Sequence, residues 1–196
     1  DIANAIIYAT NHGSKIINLS LGATTASTTL QNAVNYANSN NVIVVAASGN
    51  QGAASLNYPA AYPGVISVGS TNQNDARSSF SNYGAGLYLT APGNNIVSTY
   101  LSGGYASASG TSMASPLVAG AISFAMSDGT TTKSQVMQRL KTSSDKVGSQ
   151  PYSDGGYNYY YGYGRLNLYN LVTNQTASLP SQNLTPVYRF WSGSYN

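Results

Sequence analysis

Residues 42–47 read Val-Ile-Val-Val-Ala-Ala and offer no polar side chain to water. The run is too short for a buried helix, and it stops at Ser48-Gly49-Asn50. An unbroken apolar strand suits burial on both faces, which parallel sheets covered by helices provide. The preceding residues agree with that demand. "KIINLSLGA" (15–23) is a shorter apolar strand, and Leu30, Ala33, Val34 and Ala37 recur at helical spacing between the two, with Ser27 or Thr28 as cap. Strand, helix, strand at this spacing predicts a right-handed parallel unit.

The rest of the chain extends this α/β pattern. Ile2, Ala5, Ile6 and Ala9 predict a helix over residues 1–12, ended by Gly13. Further strand signals lie at "GVISVGS", "LYLTAPG" and "NIVSTY". A helix beginning near Ser112 carries Val118, Ala121, Ile122 and Ala125 on one face; another runs from about Thr132 to Lys141, and a last one covers "RLNLYNLV". The Tyr-rich "GGYNYYYGYG" separates these last two. Residues 1–172 read as one partial domain, the polar 173–186 as a linker, and 187–196 ("VYRFWSGSYN") as the start of a further module.

Composition narrows the chemistry. There is no cysteine, which removes thiol catalysis and cysteine-ligated zinc, and a single histidine argues against a metal-hydrolase centre. The eight Lys and Arg residues form no stripe, so nucleic acid is not an expected partner, and no apolar stretch is long enough to span a membrane. Only 7% of residues are charged, with much Tyr, Ser and Asn, which suits an extracellular protein.

In an open parallel sheet, ligands sit beyond the carboxyl ends of the strands. Ser20-Leu21-Gly22 and Ser48-Gly49-Asn50 are two such ends, and Ser112 opens a helix whose free amides would stabilise an oxyanion. Ser112 as a plain helix N-cap, Asn50 as a turn residue and Gly22 as a strand terminator are the bland readings of the same positions. A nucleophile-elbow hydrolase is excluded, because no histidine follows Ser112.

"GTSMASPLVAG" (110–120) resembles the nucleophile motif of the subtilisin-like serine proteases, the subtilases. "VIVVAASGNQG" (42–52) resembles their oxyanion-hole segment, and "IINLSLGA" their substrate-binding edge strand. "LNYPAAYPGVISVGSTN" and "RSSFSNYGAGLYLTAPG" fit between in the family's order, so the resemblance covers residues 1–172. It implies a three-layer subtilisin-like fold, a mostly parallel sheet between helices, with the N-terminal strands missing. Ser112 would be the nucleophile and Asn50 the side-chain oxyanion donor. Ser20, Leu21 and Gly22 would pair with the substrate backbone of a polypeptide. Ala47, Ser48 and Gly49, with Asn57 at the base, would wall the pocket for the residue before the scissile bond. The Tyr58–Pro59 bond would be cis. The chemistry would need no cofactor and no metal. The carbonyls of Ala60, Tyr62 and Val65 could ligate a structural calcium, but Gly86 and Tyr88 replace acids present in some relatives, which counts against it. Leu117 stands where the family most often has a histidine outside its triad.

The subtilase order is Asp, His, Ser. Asp1, His12 and Ser112 imitate it, but His12 lies at a helix end in "TNHGSK" and not in the family's H-G-T-H-like motif. The general base is therefore expected upstream of this chain, on the missing N-terminal part of its own domain. That makes the chain alone an inactive piece of a secreted serine endopeptidase. The alternatives are a catalytically inactive subtilase-like binding scaffold and a carbohydrate binder using the clustered tyrosines.

Overall fold

A computed structural model describes residues 1–127, 129 and 132–177. Its elements are α1 (Ile2–Asn11), β1 (Ile16–Leu19), α2 (Thr28–Ser39), β2 (Ile43–Ala47), β3 (Ile66–Thr71), β4 (Leu89–Pro92), β5 (Ile96–Thr99), β6 (Tyr105–Ala108), α3 (Thr111–Met126), α4 (Lys133–Ser143) and α5 (Leu168–Thr173). Strands β1 to β4 form one parallel sheet in chain order, while β5 and β6 make a separate antiparallel pair.

The apolar run of β2 is resolved by alternation. Ile43 and Val45 face a core with Val118, Ile122, Val136, Leu140 and Leu171 of α3, α4 and α5. Val44, Ala46 and the preceding Val42 face a second core with Ala3, Ile6, Ala33, Val34 and Ala37 of α1 and α2. All five β2 residues are buried. The α/β class and the mostly parallel sheet between helices are thus observed.

Most helix ends fall where the residues placed them. Ser27, not Thr28, caps α2 by accepting from the Leu30 amide, and Thr132 caps α4 in a reciprocal box with Gln135. Gly13 follows α1 with φ of 83°. Two expectations need correction. Ser112 is not the cap of α3: Gly110 is, and Ser112 is the second helical residue. The last helix starts at Leu168, not Arg165, because Arg165 and Leu166 extend along β4 and across to Asp145. Arg165 there pairs with Asp75 and, at 2.5 Å, with Asp145. β6 was not foreseen; "YASA" lacks β-branched residues and is a strand through pairing with β5.

The Tyr-rich loop folds onto the sheet. Tyr161 is 7% exposed and its hydroxyl accepts from the Arg77 amide, Tyr157 donates to the Gly84 carbonyl, and Tyr163 meets Tyr88 edge to face. Burial raises the Tyr88 phenol well above its ordinary value, and that hydroxyl donates to the Met137 carbonyl at 2.6 Å. The Tyr58–Pro59 bond is cis. No helix among the described residues is long and apolar enough to cross a membrane. The expected linker beyond residue 177 and the module at 187–196 lie outside the described residues.

Leu89 on β4 is fully buried, whereas Val97 on β5 is 68% exposed. Leu89→Ala is expected to lower the unfolding free energy by about 2–5 kcal/mol. Val97→Ala should change it by no more than about 0.5 kcal/mol, and urea unfolding of the two variants measures both.

Candidate active site

Parallel strands leave their carboxyl ends on one edge of the sheet, and the expected residues meet there. Ser20 follows β1, Ser48-Gly49-Asn50 follow β2, and α3 starts beside them. The start of α3 is fixed from below: the Gly110 amide donates to the Gly93 carbonyl, and the Gly93 amide to that of Thr71 at the end of β3. A Cβ on Gly93 would stand 2.5 Å from the Ser70 hydroxyl and 2.7 Å from the Gly110 carbonyl, so only glycine permits this approach.

Asn50 is held by one half of its side chain. Its Oδ1 accepts from the Thr111 amide and from the Thr111 hydroxyl, both at 2.9 Å. That hydroxyl in turn accepts from the Gly49 amide at 3.2 Å, and Thr111 is completely buried. With Oδ1 fixed by a backbone N–H, Nδ2 must point the other way, and it has no partner among the described residues. The amide of Ser112, in the first turn of the 16-residue α3, is a second donor that helix geometry leaves open. Asn50 and Ser112 line one cavity at the N-terminal end of α3, where the helix dipole is positive.

The Ser112 hydroxyl donates to the Ser20 carbonyl at 3.3 Å, and Ser20 Oγ donates back to the Ser112 carbonyl at 2.9 Å. Asn18 Nδ2 donates to Ser20 Oγ at 3.0 Å and Asn18 Oδ1 accepts from Ser115 at 2.7 Å, so β1 and α3 are laced together under the serine. A carbonyl cannot take a proton from Ser112, and among the described residues no imidazole or carboxylate lines the cavity beside it. His12 is elsewhere, at the end of α1, with Nδ1 2.8 Å from the Tyr8 carbonyl and its ring stacked on Tyr8.

The cavity beside Ser112 has a volume of about 120 Å³. Of the expected residues, Leu21, Gly22, Ala47, Gly49, Asn50, Asn57 and Ser112 line it. Ser20 adjoins it only through its bonds to Ser112, and Ser48 is buried behind the wall with its hydroxyl on the Asn82 carbonyl at 3.1 Å. Three participants were not foreseen. Thr111 reads in sequence as an ordinary helix-start threonine. Gln51 lines the cavity, and Asn82 supports it from 31 residues away, a separation no local pattern reveals. A larger apolar groove of about 330 Å³ between α1 and α2 is lined by Ala3, Ile7, Asn32 and Tyr36.

Known proteins share the sequence and the fold of this chain. The family model described as "Subtilase family" matches residues 1–164. The chain is 47% identical over 173 residues to the thermophilic serine proteinase of Bacillus sp. (strain AK1), covering 88% of this chain and 41% of that protein. It is 48% identical over 149 residues to subtilisin BL of Lederbergia lenta (76% and 55%), and 45% over 171 residues to thermitase of Thermoactinomyces vulgaris (87% and 58%). It therefore spans about half the length of these relatives. Among solved structures, the patellamide maturation protease PatA superposes with a TM-score of 0.78 at 33% identity, over 88% of this chain and 67% of that one. A lanthipeptide protease gives 0.79 at 27%, over 88% and 65%. A match across residues 1–164, with the nucleophile motif on the first turn of α3, leaves one conclusion: the chain belongs to the subtilase family of serine proteases.

Proposed function

We propose that this chain is the serine-bearing part of a secreted endopeptidase, whose histidine base and aspartate lie on a segment N-terminal to Asp1. The observation that carries the reading is the carboxamide of Asn50, held at Oδ1 by Thr111 and lining the same cavity as Ser112. In the proposed reaction, Ser112 Oγ bonds to a peptide carbonyl carbon while its proton passes to the base. The carbonyl oxygen gains the negative charge and accepts from Asn50 Nδ2 and the Ser112 amide. Collapse expels the amine, which takes the proton, and water then releases the acyl group by the same route. Charge develops only where N–H groups already point, so the reading asks for no cofactor.

Leu21 and Gly22 are exposed beside the cavity, which supports their role as an edge for an extended polypeptide. The shortfall against the relatives' length, together with the carbonyl partner of Ser112, supports a base supplied from outside these residues. Secretion rests on the weakly charged composition. A structural cation at Ala60, Tyr62 and Val65 gains no support from the Tyr62 carbonyl, which already accepts the Val65 amide at 3.2 Å.

The deciding experiment compares the chain alone with the full-length protein that carries it, on casein and on peptide anilides. The chain alone should give no turnover. The full-length protein should hydrolyse both substrates, and Ser112→Ala should lower kcat by about 10⁴-fold or more. A full-length protein without hydrolysis would leave the inactive binding scaffold as the reading. Thr111→Val removes one of the two donors on Asn50 Oδ1 and strands the Gly49 amide. It should lower kcat about tenfold with KM nearly unchanged, because the group it positions acts mainly on the charge of the transition state.

A further inference from the structure

We infer that Asn18 is a positioning residue for the nucleophile: acting through the hydroxyl of Ser20, it holds the first turn of α3 at a fixed place on β1. The inference rests on the protease reading and adds to it a residue outside the cavity. The need for such a hold arises inside α3. In an α-helix the carbonyl of Ser112 would accept from the amide of residue 116. That residue is Pro116, which has no N–H and whose ring crowds the carbonyl four residues before it. The nucleophile's own carbonyl therefore lacks the tie that a helix ordinarily gives. Ser20 Oγ supplies the missing donor, at 2.9 Å.

A carbonyl only accepts, so the one hydroxyl proton of Ser20 is committed to it. The Asn18 atom 3.0 Å from Ser20 Oγ must then donate, which makes it Nδ2. Asn18 Oδ1 is left for Ser115, whose hydroxyl donates to it at 2.7 Å. One carboxamide thus joins two rungs between the elements. Asn18 and Ser20 are two residues apart at the end of β1, and Ser112 and Ser115 are three apart on one face of α3. The order of donors along the ladder follows from the carbonyl at its end.

Ser115 is completely buried, whereas Asn18 and Ser20 are exposed. Hydrogen bonds that water can replace add little to stability, so the effect of this ladder is geometric. The proposed substrate edge, Leu21 and Gly22, continues directly from Ser20, and the Ser112 hydroxyl lies 3.3 Å from the Ser20 carbonyl. One short stretch of chain therefore leads to the substrate through its main chain and to the nucleophile through its side chains. The ladder sets the distance between the two. A misplacement of about 1 Å between reacting groups costs on the order of a hundredfold in rate, so even a small slackening of this turn should appear in kcat.

The test measures kcat and KM of the full-length protein on a peptide anilide, with the unfolding midpoint of each variant alongside. Ser20→Ala and Asn18→Leu should each lower kcat about tenfold, with KM changed by no more than about twofold and the midpoint nearly unmoved. The double variant should be no slower than Ser20→Ala, because Asn18 acts through Ser20. Asn18→Asp keeps the shape and the acceptor for Ser115, but its carboxylate draws the Ser20 proton away from the Ser112 carbonyl. Its kcat, taken as a ratio to the unaltered protein at the same pH, should recover as the pH falls toward about 5, where part of the carboxyl group is protonated and donates to Ser20 again. Should leucine disturb folding, this isosteric variant decides alone. Losses that multiply in the double variant, a change in KM without one in kcat, a lowered midpoint with kcat kept, or an Asn18→Asp ratio that stays flat with pH each overturn the inference and leave the protease reading intact. No hydrolysis of any substrate by the unaltered protein, casein included, overturns both.

Discussion

Strand β2 has water on neither side, and the architecture follows from that. Its five residues are buried, alternate ones serving the α3–α5 core and the α1–α2 core. Two helical layers are needed because each face of the strand must be covered, and the strands run parallel because each return passes through a helix or loop on a sheet face. Parallel strands end together. The loops after β1 and β2 and the start of α3 are therefore neighbours by topology before any side chain is chosen.

What the side chains add at that edge is a set of orientations dictated by the main chain. Asn50 is aimed by the amide and hydroxyl of Thr111, and Asn82 by the amides of Gln51 and Ala53. Each contact alone contributes about 1 kcal/mol or less to stability. Their larger effect is to remove the two-fold ambiguity of a carboxamide, so that donors and acceptors occupy definite places without cost at the moment of reaction.

Legibility in sequence followed the range of the physics involved. The β2 burial, the α2 face and the Ser27 cap depend on neighbours within a few residues, and periodicity and capping chemistry revealed them, whereas α1 buries Ala3, Ile6 and Thr10 and leaves the expected Ile2 and Ala5 exposed. The "GTSMASPLVAG" motif and the residues around Asn50 were readable through family resemblance, since their chemistry needs fixed residue types in a fixed order. β6 was hidden because Tyr-Ala-Ser-Ala carries no β-branched residue and is extended through its pairing with β5. Arg165 was misread as helical because its partners, Asp75 and Asp145, lie 90 and 20 residues away. Gln51, Asn82 and Thr111 stayed silent for the same reason: carboxamides and hydroxyls carry no periodic signal, and their meaning appears only when distant loops meet.

The grip on Asn50 also bears on how such a site ages. Deamidation requires the amide nitrogen of the following residue to attack the asparagine side-chain carbon. Here that nitrogen belongs to Gln51 and donates to Asn82, while the Asn50 carboxamide is clamped by Thr111. Both reactants are thereby kept from the attack geometry, and the site is shielded from the slow chemistry that shortens the shelf life of asparagine-rich surfaces. Where the shield fails, the damage would be peculiar. An aspartate at position 50 would keep its clamped oxygen and present a charged acceptor, in place of a donor, to the cavity beside Ser112, so the character of that cavity would invert while the fold stayed nearly the same.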